Sequence, residues 1–340
     1  MDLNPSEEQQ QLIDAFVAFY AKESPIDRVR AAEPMGHDAT LWSHLRDMGA
    51  LLMAVDEASG GWGASLLDLA LVAEQHGRYL GSAPLIEGQT AVRLLAQTGS
   101  IGAELLGPSL HEGRLVTVAL HPPQNGVLAM VPAGAVADDV IFMDQGRLMA
   151  MAIGGRSRFV ANIGSMPVAD ITIDGTAVEL LAGELARTLF ESARDEWLVL
   201  MANALVGIGT RSIEIGVEYA KERHAFGVPI GSFQAVSHGL ADAATAMEGG
   251  TLLAREAAWA ASEDTGRAAQ LANFAGGFCT EAAREASYRS LHYHGGYGFM
   301  LEFDIQLFFR RAKAWPAVFA EPSQMFARGE IDRLSTRTGG

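Results

Sequence analysis

Two short stretches hold the side chains best suited to chemistry. Arg223, Phe226 and Gln234 follow one another in RHAFGVPIGSFQ, and Gly295 and Gly296 sit in LHYHGGYGF. An arginine offers a fixed cation with a planar fork of donors, which suits a pyrophosphate. Phe226 can pack on an adenine or a ribose, and Gln234 offers both a donor and an acceptor. Two adjacent glycines let the backbone come close to a phosphate, with N–H groups available to bind it. Taken singly, the arginine reads as a solvated charge past a long helix and the glycines as a turn; taken together they could hold a nucleotide. His292 and His294 form an H-x-H pair, but on a helix they point to different faces and no third ligand is evident, so no metal site is expected. Cys279, the sole cysteine, lies in AGGFCTEAA without a base nearby. It reads as a packed small hydrophobe, and no intrachain disulfide can form.

These residues need helices to position them. Ser6 is an expected N-cap with Glu7 and Glu8 in the first turn, and Leu12, Ile13, Phe16 and Phe19 then recur at helical spacing. Further helices are expected over 39–48, 65–79 and 84–97, with a glycine-rich loop at 58–63. From about residue 109 the pattern changes to short apolar runs such as LVTVAL, DDVIFM and RLMAMA. Turn signals at Asn125-Gly126, Gln145-Gly146 and Asp174-Gly175 separate them. That pattern predicts a small antiparallel sheet domain. Long helices follow over 188–223, 233–262 and 266–293, and a fourth begins near Asp304, which predicts a bundle. The expected class is α+β, mostly α. It comprises an N-terminal helical domain (1–108), a shortened β domain (109–183) and a C-terminal four-helix bundle (184–340). Neither βαβ alternation nor a strand followed by G-x-G-x-x-G is present, which disfavours a dinucleotide-binding α/β fold.

Bulk properties narrow the function classes. With 49% hydrophobic and 19% charged residues, the chain has the composition of a packed protein. A net charge of −16 disfavours DNA or RNA as a partner. The opening MDLNPSEEQQ has neither the basic nor the apolar region of a secretory signal. The apolar stretch from Trp197 to Gly209 is too short to span a bilayer. The expectation is a cytoplasmic protein with no membrane contact.

Read together, three stretches resemble the acyl-CoA dehydrogenase family. They are LRDMGALLMAVDEASGGWGASLLDLALVAEQHGRYL (45–80), EYAKERHAFGVPIGSFQAVSHGLAD (218–242) and LHYHGGYGFMLEFDIQLFFRRAKA (291–314). The second is the most specific, because Tyr, Arg, Phe-Gly, Pro-Ile and Phe-Gln all fall at the family's spacing. The resemblance implies an FAD whose ADP half is contacted by Arg223, Phe226, Gln234, His292, Gly295 and Gly296, largely across a subunit interface, and hence an oligomer. His292 stands where the family usually has Gln. It also implies α,β-dehydrogenation of an acyl-CoA thioester, in which a carboxylate takes the α-proton and the β-hydrogen leaves as hydride. An electron-transferring flavoprotein is the implied acceptor.

The sequence departs from the family where the chemistry would occur. Matching without gaps puts Phe319 at one position of the family's base, with Glu321 two residues later. At the alternative position, on the long helix, stands Trp197, with Glu196 beside it. Glu321 and then Glu196 are the base candidates the resemblance leaves. Residues 109–181 contain no tryptophan and no Thr-Glu-Pro, the family's holders of the flavin ring. The reading these losses favour is one subunit of a heteromeric enzyme for a bulky, steroid-type CoA thioester. A catalytic partner would supply the glutamate and hold the ring. The alternatives are a homotetrameric enzyme with an atypical base and a non-catalytic CoA-binding or scaffold relative.

Overall fold

Ser6 begins the first helix as its context predicts. Its hydroxyl accepts from the N–H of Gln9, and the Gln9 side chain accepts from the N–H of Ser6, closing a capping box. The structure is a computed structural model and describes residues 3–338. In chain order the helices are α1 (Glu7–Glu23), α2 (Ile26–Ala32), α3 (Ala39–Asp47), α4 (Leu66–Arg78), α5 (Leu85–Ala96) and α6 (Gly99–His111). Seven short strands follow: β1 (Val116–Val118), β2 (Val127–Val131), β3 (Asp139–Asp144), β4 (Arg147–Ala152), β5 (Ser157–Phe159), β6 (Ala169–Thr172) and β7 (Val178–Ala182). Next come α7 (Gly183–Glu222), a two-strand ribbon of β8 (His224–Ala225) and β9 (Val228–Pro229), then α8 (Gln234–Glu263) and α9 (Ala268–Tyr293). The chain continues with α10 (Ile305–Ala314) and α11 (Pro322–Thr338). Helices α7, α8, α9 and α10 lie where the sequence places them, while α2, α6 and α11 add to the expected set.

The chain divides into two compact units. One gathers the residues up to Ile26, Ala70–Gly81 and everything from Val199 on. It is helical, and within it α9 packs against α8, α10 and α11. Gly77 and Gly207 let α4 and α7 approach closely here. A Cβ on Gly207 would overlap the carbonyl oxygen of Glu74, and one on Gly77 that of Ala204. Arg78 forks onto Glu214 at 2.8 and 2.7 Å, joining the same two helices.

The other unit comprises Asp27–Leu69 and Ser82–Leu198. Its strands form a four-stranded sheet, β1-β3-β4-β7, and a three-stranded sheet, β2-β6-β5. Ala119, Leu128, Val131, Val140, Phe142, Met151, Ile153 and Ile171 form its β core. The expected antiparallel domain is corrected in one respect, because β1 and β3 pair in parallel. The chain leaves the first sheet after β1, contributes β2 to the second and returns, and parallel neighbours require such a crossover. The predicted turns hold. Gln145 and Gly146 both take positive φ (47° and 79°) in the β3–β4 hairpin.

Helix α7 is, by length and composition alone, apolar enough to cross a membrane, but 72% of its most apolar window is buried inside the protein. Its run from Trp197 to Ile208 belongs to the core, which accounts for the composition.

Candidate functional site

In the helical unit α7 ends one residue before Arg223. The Arg223 N–H still donates to the Tyr219 carbonyl at 2.9 Å, and its own carbonyl accepts from Ile230 N–H at 2.7 Å. Between these bonds β8 and β9 pair, His224 with Pro229 and Ala225 with Val228. This leaves Phe226 and Gly227 as a two-residue apex with φ of 54° and 82°. Both apex positions of such a tight turn need positive φ. Gly227 adopts it freely, whereas Phe226 is a bulky residue held in the left-handed region, an uncommon conformation. Phe226 is 96% exposed, and its ring meets that of Phe233 edge-on at 6.1 Å between centroids.

Gln234 opens α8 and is exposed. The Tyr293 hydroxyl, on the last residue of α9, donates to the Ala235 carbonyl at 3.1 Å. The His294 ring stacks on Tyr219 of α7 at 4.0 Å. These two contacts fix the end of α9 against the end of α7 and the start of α8. His294 is buried, its Nδ1 lies 2.7 Å from the Ser290 carbonyl, and burial lowers its pKa from the ordinary histidine value. His292 is exposed, its ring over Tyr288 at 5.8 Å. The two histidines therefore serve different faces, and no metal-binding cluster occurs among the described residues. Gly295 takes φ of 61°, and open space lies where Cβ atoms of Gly295 and Gly296 would stand.

Arg223, Phe226, Gln234, His292, Gly295 and Gly296 thus gather at one end of the helical bundle. All six are exposed, and Arg223 makes no ion pair among the described residues. A free guanidinium, an uncovered aromatic ring and an unencumbered Gly-Gly backbone fit the nucleotide end of FAD. Residues 109–181 contain no tryptophan.

The carboxylates lie apart from this cluster in character. Glu321 directly precedes α11; its N–H donates to the Gln324 side chain at 3.2 Å, its side chain is 61% exposed, and Arg284 lies 3.6 Å away. Glu196 belongs to the other unit, where Arg93 of α5 grips it at 2.8 and 3.2 Å. The two positions that the resemblance matches to a base hold buried aromatics, Trp197 at 1% exposure and Phe319 at 4%.

One group escaped the sequence reading. Glu87 of α5 is 8% exposed, makes no ion pair among the described residues and accepts a 3.3 Å bond from the Trp197 indole N–H. Burial raises its pKa above the ordinary carboxylate value. An acid inside the apolar run PLIEGQTAVRLL was the available signal. Cys279 is buried, donates to the Gly250 carbonyl at 3.4 Å, and is pushed up to about 12, an inert core thiol.

Comparison with known proteins adds independent findings. The model of the acyl-CoA dehydrogenase N-terminal domain matches residues 6–101, and that of the C-terminal domain matches 169–317. The acyl-CoA dehydrogenase IpdE2 of Mycobacterium tuberculosis is 30% identical, over 97% of this chain and 98% of that one. Among solved structures, the Tcur3481–Tcur3483 steroid ACAD (G363A variant) superposes with a TM-score of 0.89 at 23% identity, covering 98% of this chain and 100% of that one. The ChsE4–ChsE5 complex from M. tuberculosis gives 0.88 at 24%, covering 98% and 99%.

Proposed function

The chain belongs to the acyl-CoA dehydrogenase family, and we propose that it acts as one subunit of a mixed oligomer that dehydrogenates an acyl-CoA thioester. The observation that carries this reading is the open nucleotide half-site, with Phe226 wholly uncovered beside Arg223 and Gln234. A site left on the surface is completed by another chain. Arg223 would bind the FAD pyrophosphate, Phe226 would cover the adenine or ribose, and Gly295 and Gly296 would admit the phosphates. Gln234 and His292 would add donors beside them. When bound, FAD supplies the acceptor for the hydride leaving the β-carbon. The partner subunit would hold the flavin ring and supply the carboxylate that takes the α-proton.

Support for that division comes from the aromatic residues at both matched base positions and from a β segment without tryptophan. Of the superposed structures, one is a steroid ACAD and the other is the ChsE4–ChsE5 complex. We carry both features to this chain as part of the proposal, with a bulky steroid-type thioester as substrate and an electron-transferring flavoprotein as acceptor.

The test is the visible spectrum and native mass of the chain, purified alone and together with a full-length acyl-CoA dehydrogenase chain from the same organism. The expected result is colourless protein alone and a yellow mixed oligomer with about one FAD per pair of unlike chains. Yellow protein alone that oxidises an acyl-CoA would overturn the proposal and return Glu321 and Glu196 to consideration.

A further inference from the structure

Tyr293 and His294 are consecutive residues that fasten the end of α9 to two different helices. The Tyr293 hydroxyl donates to the Ala235 carbonyl of α8 at 3.1 Å. It lies over Gly239, one turn further along α8, where a Cβ would overlap it, so glycine leaves the room this bond needs. The Arg289 guanidinium, one turn earlier on α9, reaches the same hydroxyl and is itself held by Glu285 at 2.6 Å. His294 turns to the other neighbour. Its ring stacks on Tyr219 of α7 at 4.0 Å between centroids and meets the edge of Phe303 at 6.1 Å. A carbonyl only accepts, so the 2.7 Å contact with the Ser290 carbonyl puts the proton on Nδ1 and fixes how the ring stands.

Each anchor lies within a few residues of a group in the nucleotide cluster. Ala235 directly follows Gln234. Tyr219 carries the His294 ring on its side chain and accepts the Arg223 N–H at 2.9 Å on its carbonyl. Gly295 and Gly296 directly follow His294, and the turn they open, Gly295–Phe299, folds back on α9, where a Cβ on Gly298 would overlap the Leu291 carbonyl oxygen. Arg223, Gln234, Gly295 and Gly296 are themselves exposed, so their own packing does not fix their spacing.

We propose that Tyr219, Tyr293 and His294 are positioning residues, which hold Arg223, Gln234 and the Gly295–Gly296 backbone at the spacing a dinucleotide pyrophosphate requires. The inference rests on the nucleotide reading above and deepens it, by assigning a role to residues that act through others. Holding the donors in place beforehand spares the cost of ordering them when the cofactor arrives.

The experiment rebinds FAD to the flavin-free mixed oligomer and reads Kd from flavin absorbance, with native mass taken on the same sample so that only assembled protein is counted. His294→Ala and Tyr219→Leu should each raise Kd about tenfold. The double variant should be no worse than either, since both break one stack. His294→Phe keeps a flat ring on Tyr219 and should stay within about threefold of the parent. Tyr293→Phe loses only the hydroxyl and should raise Kd about fivefold. A merely structural role would lower the assembled fraction and leave its Kd unchanged. Arg223→Ala is the reference. If it weakens FAD binding and His294→Ala does not, or if His294→Phe is as weak as His294→Ala, the positioning role is overturned and the nucleotide site stands. If neither Arg223→Ala nor His294→Ala moves Kd, the nucleotide reading itself falls. Should His294→Ala fail to assemble, Tyr293→Phe decides, and an unchanged Kd there overturns the proposal.

Discussion

Phe226 and Trp197 are both large aromatics, and the protein treats them in opposite ways. Phe226 sits at the apex of a two-residue turn, 96% exposed, in a backbone conformation that few bulky residues adopt. Trp197 is 1% exposed on a long helix, with its one polar atom bonded. A ring held out in water gains nothing for the fold, and the proposed role as a cover for the nucleotide would account for its place there. A ring sealed in the core with a hydrogen-bonded partner is explained by packing alone. The same contrast holds for charge. Arg223 stands free at the open end of the bundle, whereas Arg93 is forked onto Glu196 and also donates to the Ala54 carbonyl at 3.1 Å.

The contrast breaks most visibly on stability. Trp197→Ala should cost about 3–5 kcal/mol, the range for deleting a large aromatic from a packed core, read as a fall in the urea midpoint. Phe226→Ala should leave the midpoint within about 0.5 kcal/mol of the parent, as for exposed sites without special contacts. Equal effects from the two substitutions would remove the distinction between a binding ring and a packing ring.

Arg93→Met tests the Arg93–Glu196 fork itself. It strands the Glu196 carboxylate without its cation, an arrangement that costs about 3–5 kcal/mol when fully buried. The side chains here keep 22% and 14% of their exposure, so a loss of roughly 2 kcal/mol is expected after that screening. Recovery of most of that loss in Arg93→Met combined with Glu196→Leu would show that the unpaired charge, rather than lost packing, carries the effect.

Arg223→Ala sharpens the other side. The melting of the chain should not move, because the side chain holds nothing in the fold. Flavin retention in the mixed oligomer should weaken by about 10- to 150-fold, equivalent to the ~1.5–3 kcal/mol of a hydrogen bond to a charged group. Ultrafiltration followed by flavin absorbance reads this directly. Unchanged retention would place the pyrophosphate elsewhere.

The sequence makes the open end legible and leaves the sealed core dark, for a physical reason. Arg223, Phe226, Gly227 and Gln234 lie within a dozen residues, so their juxtaposition follows from one helix end, one tight turn and the next helix start. Gly227 announces the positive φ of the turn, and the predicted ends of α7, α8 and α9 agree with those found within a few residues. Glu87 and Trp197 lie 110 positions apart, and Arg93 and Glu196 lie 103 apart. Periodicity places each on its helix, but no local pattern says which distant helix it meets. The parallel pairing of β1 with β3 was hidden in the same way, because each strand reads identically in either orientation. Helix α11 was missed for a different reason. Glu321-Pro322 reads as a loop, yet proline is well suited to the first position of a helix, and Pro322 occupies that position here.

The subtlest prediction concerns Glu87 and pH. Burial raises its folded pKa above the ordinary value of 4.5. At pH values below 4.5 the carboxyl is protonated in both folded and unfolded chains, so the parent and Glu87→Gln should differ by a constant amount. As pH rises past 4.5, the unfolded chain releases the proton while the folded chain retains it, and the unfolded state gains on the folded one. The stability that depends on the neutral acid is therefore complete below the unfolded pKa and declines as pH climbs through the folded one. Glutamine cannot ionise and still accepts the indole bond, so the variant should become progressively more stable than the parent over that interval. Paired urea titrations at several pH values test the sign. A gap that narrows or reverses as pH rises would mean that Glu87 is held as an anion, against the burial that dominates its surroundings.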